Sequence, residues 1–300
     1  MKAAYTSVRP MNIADKIRNC QRKWARAEPL ELSSTGYSCV RLENNLFRPM
    51  NSDTFDEFKK GDGDELGGKM HALNSSSALA CNFFDYWRHV KDASSLADAL
   101  SVADVRGLCF EQKFPTGLSG NSPNLDVVFQ VSDDSLLAIE CKFTEPYSGD
   151  IAKKNRLANS YFLHKNGQKK ELWGDKELHG CQDVAQQLRE EELCYHHLYA
   201  AQLLKHMLGL ANSKNKQFKR YDKWEILYLW FDSTGKAVEH HRQEIDEFIK
   251  AVGNNDGVVG AGGKIRVMTY QKLFEKLSKK LDASHEEYRE YLAQRYFPEK

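Results

Sequence analysis

Three charged residues stand in a stretch that otherwise reads as two apolar strands. Pro123 to Glu145 runs PNLDVVFQVSDDSLLAIECKFTE, with Asp126 near the start of the first strand and Glu140 and Lys142 near the end of the second. Residues i and i+2 of a strand project to the same side, so Glu140 and Lys142 share a face while Leu137, Ile139, Cys141 and Phe143 line the other. An antiparallel register that sets Asp126 beside Glu140 pairs Val131 with Ser135 and leaves Ser132, Asp133 and Asp134 as a three-residue loop, a common hairpin length. A slip of one residue would pair Asp126 with Cys141 and send the carboxylates to opposite faces. Two carboxylates and an ammonium on a half-buried face are costly unless something compensates them. A divalent cation would, since hard cations take carboxylate oxygens.

The rest of the chain must position that hairpin. Its 300 residues suit one large domain or a core with an appended subdomain. A hydrophobic content of 41% with 28% charged residues is that of a soluble globular protein. With a net charge of +1, any polyanion must be met by a local patch rather than by the global field. No apolar run approaches the roughly 18 residues that span a bilayer, and the N-terminus has no signal-peptide core. Seven scattered cysteines with no C-x-x-C pair fit reduced thiols, and we expect a cytoplasmic protein.

In order, Asn12 to Arg26 reads as an amphipathic helix, and Lys59 to Lys69 as a polar, Gly-rich loop. Ser75 or Ser76 can cap a helix with a buried stripe of Leu79, Phe83, Phe84 and Trp87. Ala93 to Val102 follows as a short helix, then Leu108 to Phe114 as a strand and Thr116 to Pro123 as a loop into the hairpin. Tyr147 to Trp173 carries Lys153, Lys154, Arg156, Lys165, Lys169 and Lys170 beside Tyr161, Phe162 and Trp173, a mixture suited to phosphate neutralisation and base contact as well as to an ordinary surface excursion. Cys181 to Leu210 is helical with a break near Tyr195 to His197, and Gln202 and His206 share a face at i, i+4. The link between Asn212 and Lys223 is basic. Trp224 to Phe231 is an apolar strand of the buried kind. A helix from Arg242 to Val252, a Gly-rich loop from Gly253 to Gly263, a strand from Lys264 to Thr269 and helices from Tyr270 to Leu281 and Glu286 to Tyr296 complete the chain.

E-x-K by itself carries little weight, because it occurs at Glu57, Glu111 and Glu140. Only the third follows an apolar strand and has an aspartate on a preceding partner strand. His179, Cys181, Cys194 and His196 are zinc-type ligands at a spacing unlike compact zinc modules. Gly257 to Lys264 lacks the P-loop pattern, with Val258 at the first glycine position and Ile265 after Lys264.

Asp126, thirteen intervening residues and Glu140-Cys141-Lys142 on a hairpin between helices resemble the PD-(D/E)xK nuclease superfamily. The blocks KMHALNSSSALACNFFDYW, FEQKFPTG, PNLDVVF, IECKFTEPY and AAQLLKHMLGL resemble one bacterial restriction-endonuclease-like family within it. The resemblance implies an α/β fold, a central mixed sheet of four to five strands flanked by helices. It implies a nuclease-like domain over 69–300 with a basic insertion at about 147–180, preceded by an extension over 1–68 that wraps on the core or contacts DNA. It implies a hydrolase, a Mg²⁺-dependent DNA endonuclease (Mn²⁺ as substitute) of restriction or phage defence; a repair or recombination nuclease and an inactive DNA-binding module of the same fold are the alternatives. By the same resemblance Asp126, Glu140 and the Cys141 carbonyl would bind metal, Lys142 would position or activate the attacking water, and Glu111 would stand in for an additional upstream acid. Gln202 matches a glutamine on the helix after the E-x-K strand, and His206 stands where several members have tyrosine. DNA is the expected partner, with no membrane; cutting both strands of a palindrome needs two active sites, which a homodimer would supply.

Overall fold

The computed structural model describes residues 11–61, 63–118, 122–164, 166–214, 221–253, 258 and 261–298. Lys165 of the basic segment, residues 119–121 of the loop into the hairpin, residues 215–220 of the basic link and most of the Gly253–Gly263 loop lie outside them.

Five strands form one mixed sheet in the order β1-β2-β3-β4-β5: β1 Arg106–Lys113, β2 Asn124–Ser132, β3 Ser135–Lys142, β4 Lys223–Trp230 and β5 Gly263–Thr269. The first three are antiparallel; β4 runs parallel to both β3 and β5. That arrangement explains the residue patterns. β4 lies between two parallel neighbours and is buried from Ile226 to Trp230, so it needs no polar face. β3 is buried from Leu136 to Cys141, which makes its Glu140 anomalous.

Helices flank the sheet. In chain order they are α1 Ile13–Ala27, α2 Ser52–Lys60, α3 Ser76–Phe84, α4 Ser94–Leu100, α5 His179–Arg189, α6 Ala200–Ser213, α7 Lys236–Gly253, α8 Tyr270–Ser278 and α9 Glu286–Tyr296. Side-chain caps fix several starts: Asn12 accepts from the Asp15 amide, Asn51 from Asp53, Ser75 from Ala78 and Thr269 from Lys272. Among the described residues no helix is long and apolar enough to cross a membrane.

Two expectations change, and a third is met with its cause. The hairpin turn is shorter than the three-residue loop: Ser132 pairs with Ser135, and the extra residue is absorbed in a bulge between Gln130 and Ser132. Asp134 selects that turn by accepting from the hydroxyls of Ser132 at 2.6 Å and Ser135 at 2.9 Å. The strand register beyond the bulge is the expected one, Val127 opposite Ile139. The expected break in the helical stretch separates α5 from α6. Between them Glu244 of α7 accepts from the amides of His196, His197 and Leu198 at 2.7–2.8 Å, taking donors a continuous helix would use. α7 itself begins six residues earlier than Arg242, at Lys236.

The first and last helices, α1 and α9, are fastened together. Arg295 of α9, 1% exposed, donates to the carbonyl and side-chain oxygens of Asn45, to Tyr291 and to Gln21 of α1, and lies 4.3 Å from the Trp24 ring centre. Helix α6 is pressed equally close to the sheet side: a Cβ on Gly209 would fall 2.3 Å from the Phe114 carbonyl oxygen. Gly209 lies on the helix face that carries Gln202 and His206. Gly209→Ala should therefore force α6 outward and cost about 2 kcal/mol in urea unfolding; a loss within the error of the measurement would show the contact to be slack.

Candidate active site

The geometry starts from the hairpin register. With Val127 opposite Ile139, one further step along the antiparallel ladder sets Asp126 opposite Glu140, and both side chains take the same face. Asp126 turns one oxygen back to its partner strand and accepts the Cys141 amide at 2.6 Å. The Cys141 thiol is buried on the other side of the strand. Lys142 donates to Glu140 Oε1 at 2.5 Å and to Gln202 Oε1 at 3.2 Å. His206 Nε2 lies 3.0 Å from Glu140 Oε2, within ion-pair distance although its direction is not that of a hydrogen bond. Gln202 and His206, one helical turn apart on α6, thus face Lys142 and Glu140 respectively.

Glu111 joins them from β1. Phe110 pairs with Val127 and Gln112 with Leu125, so Glu111 stands level with Asp126. Its φ is +51°, in the left-handed region that a non-glycine residue in a strand normally avoids. Such a conformation costs on the order of 1 kcal/mol or more and persists where the surroundings impose it. Here Asn124 grips the carboxylate at 2.7 Å.

The charges do not balance. Burial raises the Glu140 carboxyl, but Lys142 and His206 beside it outweigh that and hold it at about 2. Asp126 is pushed well above the usual carboxylate range, first by burial and then by the Glu140 charge. Burial raises Glu111 to about 7, with Glu65 and Glu140 adding to the effect and Asn124 opposing it. Burial works against the Lys142 ammonium, yet Glu140 and Asp126 together raise its pKa above the ordinary lysine value. Lys142, with Lys69 acting on Glu111 from the Glu65 side, therefore faces more acidic groups than the two ammoniums can neutralise.

Sequence reasoning missed Glu65, which is 9% exposed. It accepts from Ser77 at 2.8 Å and Lys69 at 2.9 Å, and its charge acts on Glu111. Its only sequence signal was an acid inside a Gly-rich polar loop, a setting that ordinarily means solvent. Tyr228 was also missed; it lies beside Glu140 across the β3–β4 pair and donates to or accepts from His241 at 3.0 Å. A cavity of about 800 Å³ reaches the site at Lys142 and Gln202, and Glu65, Lys69, Tyr228 and Lys154 also line it.

Other candidates fall away from this centre. Cys181 is buried against Met207, whereas Cys194 and His196 are exposed and touch each other. Phe162 and Trp173 of the basic segment are buried, Trp173 completely, with its indole N–H on the Tyr161 carbonyl. The sequence offered them to nucleic-acid bases; they instead hold the segment to the core.

Among the described residues no three His, Cys, Asp or Glu side chains converge into a ready metal cluster. Glu140 is engaged by Lys142 and His206. The donor chemistry nevertheless fits a hard divalent cation: Asp126 and Glu111 are oxygen donors whose negative form the fold does not neutralise. A family model described as Restriction Endonuclease associating with ARP matches residues 26–297. No curated protein and no solved structure matches the chain.

The unbalanced acids make stability pH-dependent. A carboxyl whose folded pKa is raised stabilises the fold below its unfolded pKa, and that contribution is lost as pH rises through the folded value. For Glu111 the window runs from about 4.5 to about 7. In EDTA, Glu111→Gln should flatten the fall in Tm between pH 5 and pH 8 and melt higher than the parent at pH 8. A parallel fall in both proteins would mean that Glu111 is not the titrating group.

Proposed function

The chain belongs to the family of restriction endonucleases associating with ARP, and from that premise we propose that Asp126, Glu140 and Lys142 form a metal-assisted site for hydrolysing the phosphodiester bonds of DNA. The family is one of nucleases, and restriction enzymes act on DNA. The observation that supports the site assignment is the register, which continued by one step sets Asp126 level with Glu140, whose partner Lys142 lines a cavity.

Asp126, Glu140 and the Cys141 carbonyl would hold Mg²⁺, or Mn²⁺ in its place, with Glu111 as a further oxygen donor. When bound, the ion supplies a Lewis acid for the phosphate and lowers the pKa of a bound water. The chain's own residues do the rest. Lys142, kept charged by its carboxylate neighbours, presents a fixed positive charge to the attacking water or to the developing phosphorane charge. Gln202 fixes the ammonium from the helix side, and His206 backs Glu140. Glu65 adds negative charge at the cavity wall and orders Lys69.

We also propose that residues 1–68 are an extension wrapped on the nuclease domain of 69–300; the Gln21–Arg295 contacts support that reading. In the 147–180 insertion Lys154 lines the cavity and Lys153 is exposed beside it, placing positive charge where a DNA backbone would enter. The family's description extends to a proposed association of this chain with ARP, and cutting both strands would take a second copy of the active site.

Two measurements test this. Lys142→Ala should lower Mg²⁺-dependent nicking of plasmid DNA by at least about a hundredfold with an unchanged circular dichroism spectrum; cleavage at the parental rate would overturn the assignment. Lys154→Ala should weaken DNA binding about equally across sequences and reduce the salt dependence by about one phosphate contact. A sequence-dependent loss would instead make Lys154 a base-reading residue.

A further inference from the structure

Cys194 does not contribute to the hydrolytic centre, yet it is not an isolated surface thiol. Its Sγ lies 3.7 Å from Nε2 of His196, and Nδ1 of the same ring lies 3.1 Å from Oδ1 of Asp150. Sulfur, imidazole and carboxylate stand in the order nucleophile, base and orienter. Both loops that carry them are pinned. The His196 amide donates to Glu244 at 2.7 Å, and the His196 carbonyl accepts from the Ile151 amide at 3.2 Å. Asp150 also accepts the Ala152 amide at 2.8 Å, and these contacts, with the His196 hydrogen bond, lower its pKa and keep it ionised. The carboxylate can thus hold the ring with its other nitrogen toward the thiol.

The position matters as much as the contacts. Asp150 lines the same cavity as Lys142, Gln202 and Lys154, so the carboxylate end of the group reaches the cavity rim. Cys194 is exposed, whereas Cys39, Cys81, Cys141 and Cys181 are buried. The three groups form no metal cluster.

We propose that Cys194, His196 and Asp150 form a thiol-exchange site whose reactant is a low-molecular-weight disulfide, and that its occupation closes the neighbouring cavity to DNA. The thiol proton passes to His196 Nε2 as the Cys194 sulfur attacks one sulfur of the disulfide. A new S–S bond forms, the old one breaks, and the departing sulfur leaves as a thiolate that takes the proton from His196. No further oxidant is needed, and a second thiol reverses the step. When the adduct is an acidic peptide such as glutathione, it adds negative charge beside Lys154, where a phosphate backbone would run. This second part rests on the nuclease reading; the reactivity does not.

The test separates the two. Limiting iodoacetamide at neutral pH, read by peptide mass spectrometry, should label Cys194 at least about tenfold faster than the exposed Cys20, which serves as internal reference. His196→Gln and Asp150→Asn should each bring that ratio near one. Equal labelling in the parent, or a ratio unaffected by both substitutions, would overturn the site whether or not the protein cuts DNA. Oxidised glutathione should then add one glutathione mass at Cys194, removable by dithiothreitol. Nicking should fall with the adduct and return on reduction, while Cys194→Ser nicks normally and ignores the disulfide. Full nicking by the adduct would overturn the regulatory part alone.

Discussion

The structure is organised by an excess of buried acidic groups over the cations beside them. Glu140 sits 1% exposed in a strand whose neighbours are apolar, with Asp126 beside it on β2 and Glu111 beyond Asp126 on β1. Lys142 and Lys69, with His206 behind Glu140, cannot neutralise all of them, and the carboxyls of Asp126 and Glu111 rise accordingly. A protein selected only for stability would replace such a cluster with apolar side chains at little loss or some gain. Such a cluster in the centre of the sheet supports the proposal that chemistry, not stability, is its purpose. The left-handed backbone at Glu111 has the same character.

The surrounding architecture holds that cluster rigid. The parallel pairing of β3 with β4 sets Glu140 and Lys142 opposite the buried Tyr228 and Trp230, so the E-x-K segment cannot shift along its neighbour without moving a fully packed strand. On the other side, the close approach of Gly209 to Phe114 sets the height of α6 above the sheet, and with it the reach of Gln202 and His206. Glu244 works at longer range. By holding three successive amides it keeps the segment before α6 out of helix and fixes the loop that borders the cavity.

Much of the fold was legible because its signals are local. The apolar β4, the capped α3 and the hairpin between Pro123 and Glu145 follow from periodicity and turn chemistry, which need no knowledge of the partner elements. The hairpin turn was misread by one residue because Asp134 captures two serine hydroxyls, a side-chain choice that periodicity does not report. The break between α5 and α6 was placed correctly in outline, but its cause is a glutamate some fifty residues further on. Phe162 and Trp173 were open to either reading, since composition does not tell a base-stacking aromatic from a core anchor.

By itself the sequence determined the residue types and spacing of Asp126, Glu140 and Lys142, the face that Glu140 and Lys142 share, and the pairing of Gln202 with His206 on one helix face. Those follow from the periods of strand and helix, which are properties of the backbone. Tertiary structure decided which further groups meet them. It brought Glu65 from a polar loop, Glu111 from a strained strand position and Tyr228 from β4 to the same centre, and it joined Asp150 to Cys194 and His196 across two loops. Contacts between residues far apart in the chain depend on how sheet and crossovers close in space, and no local period encodes that distance.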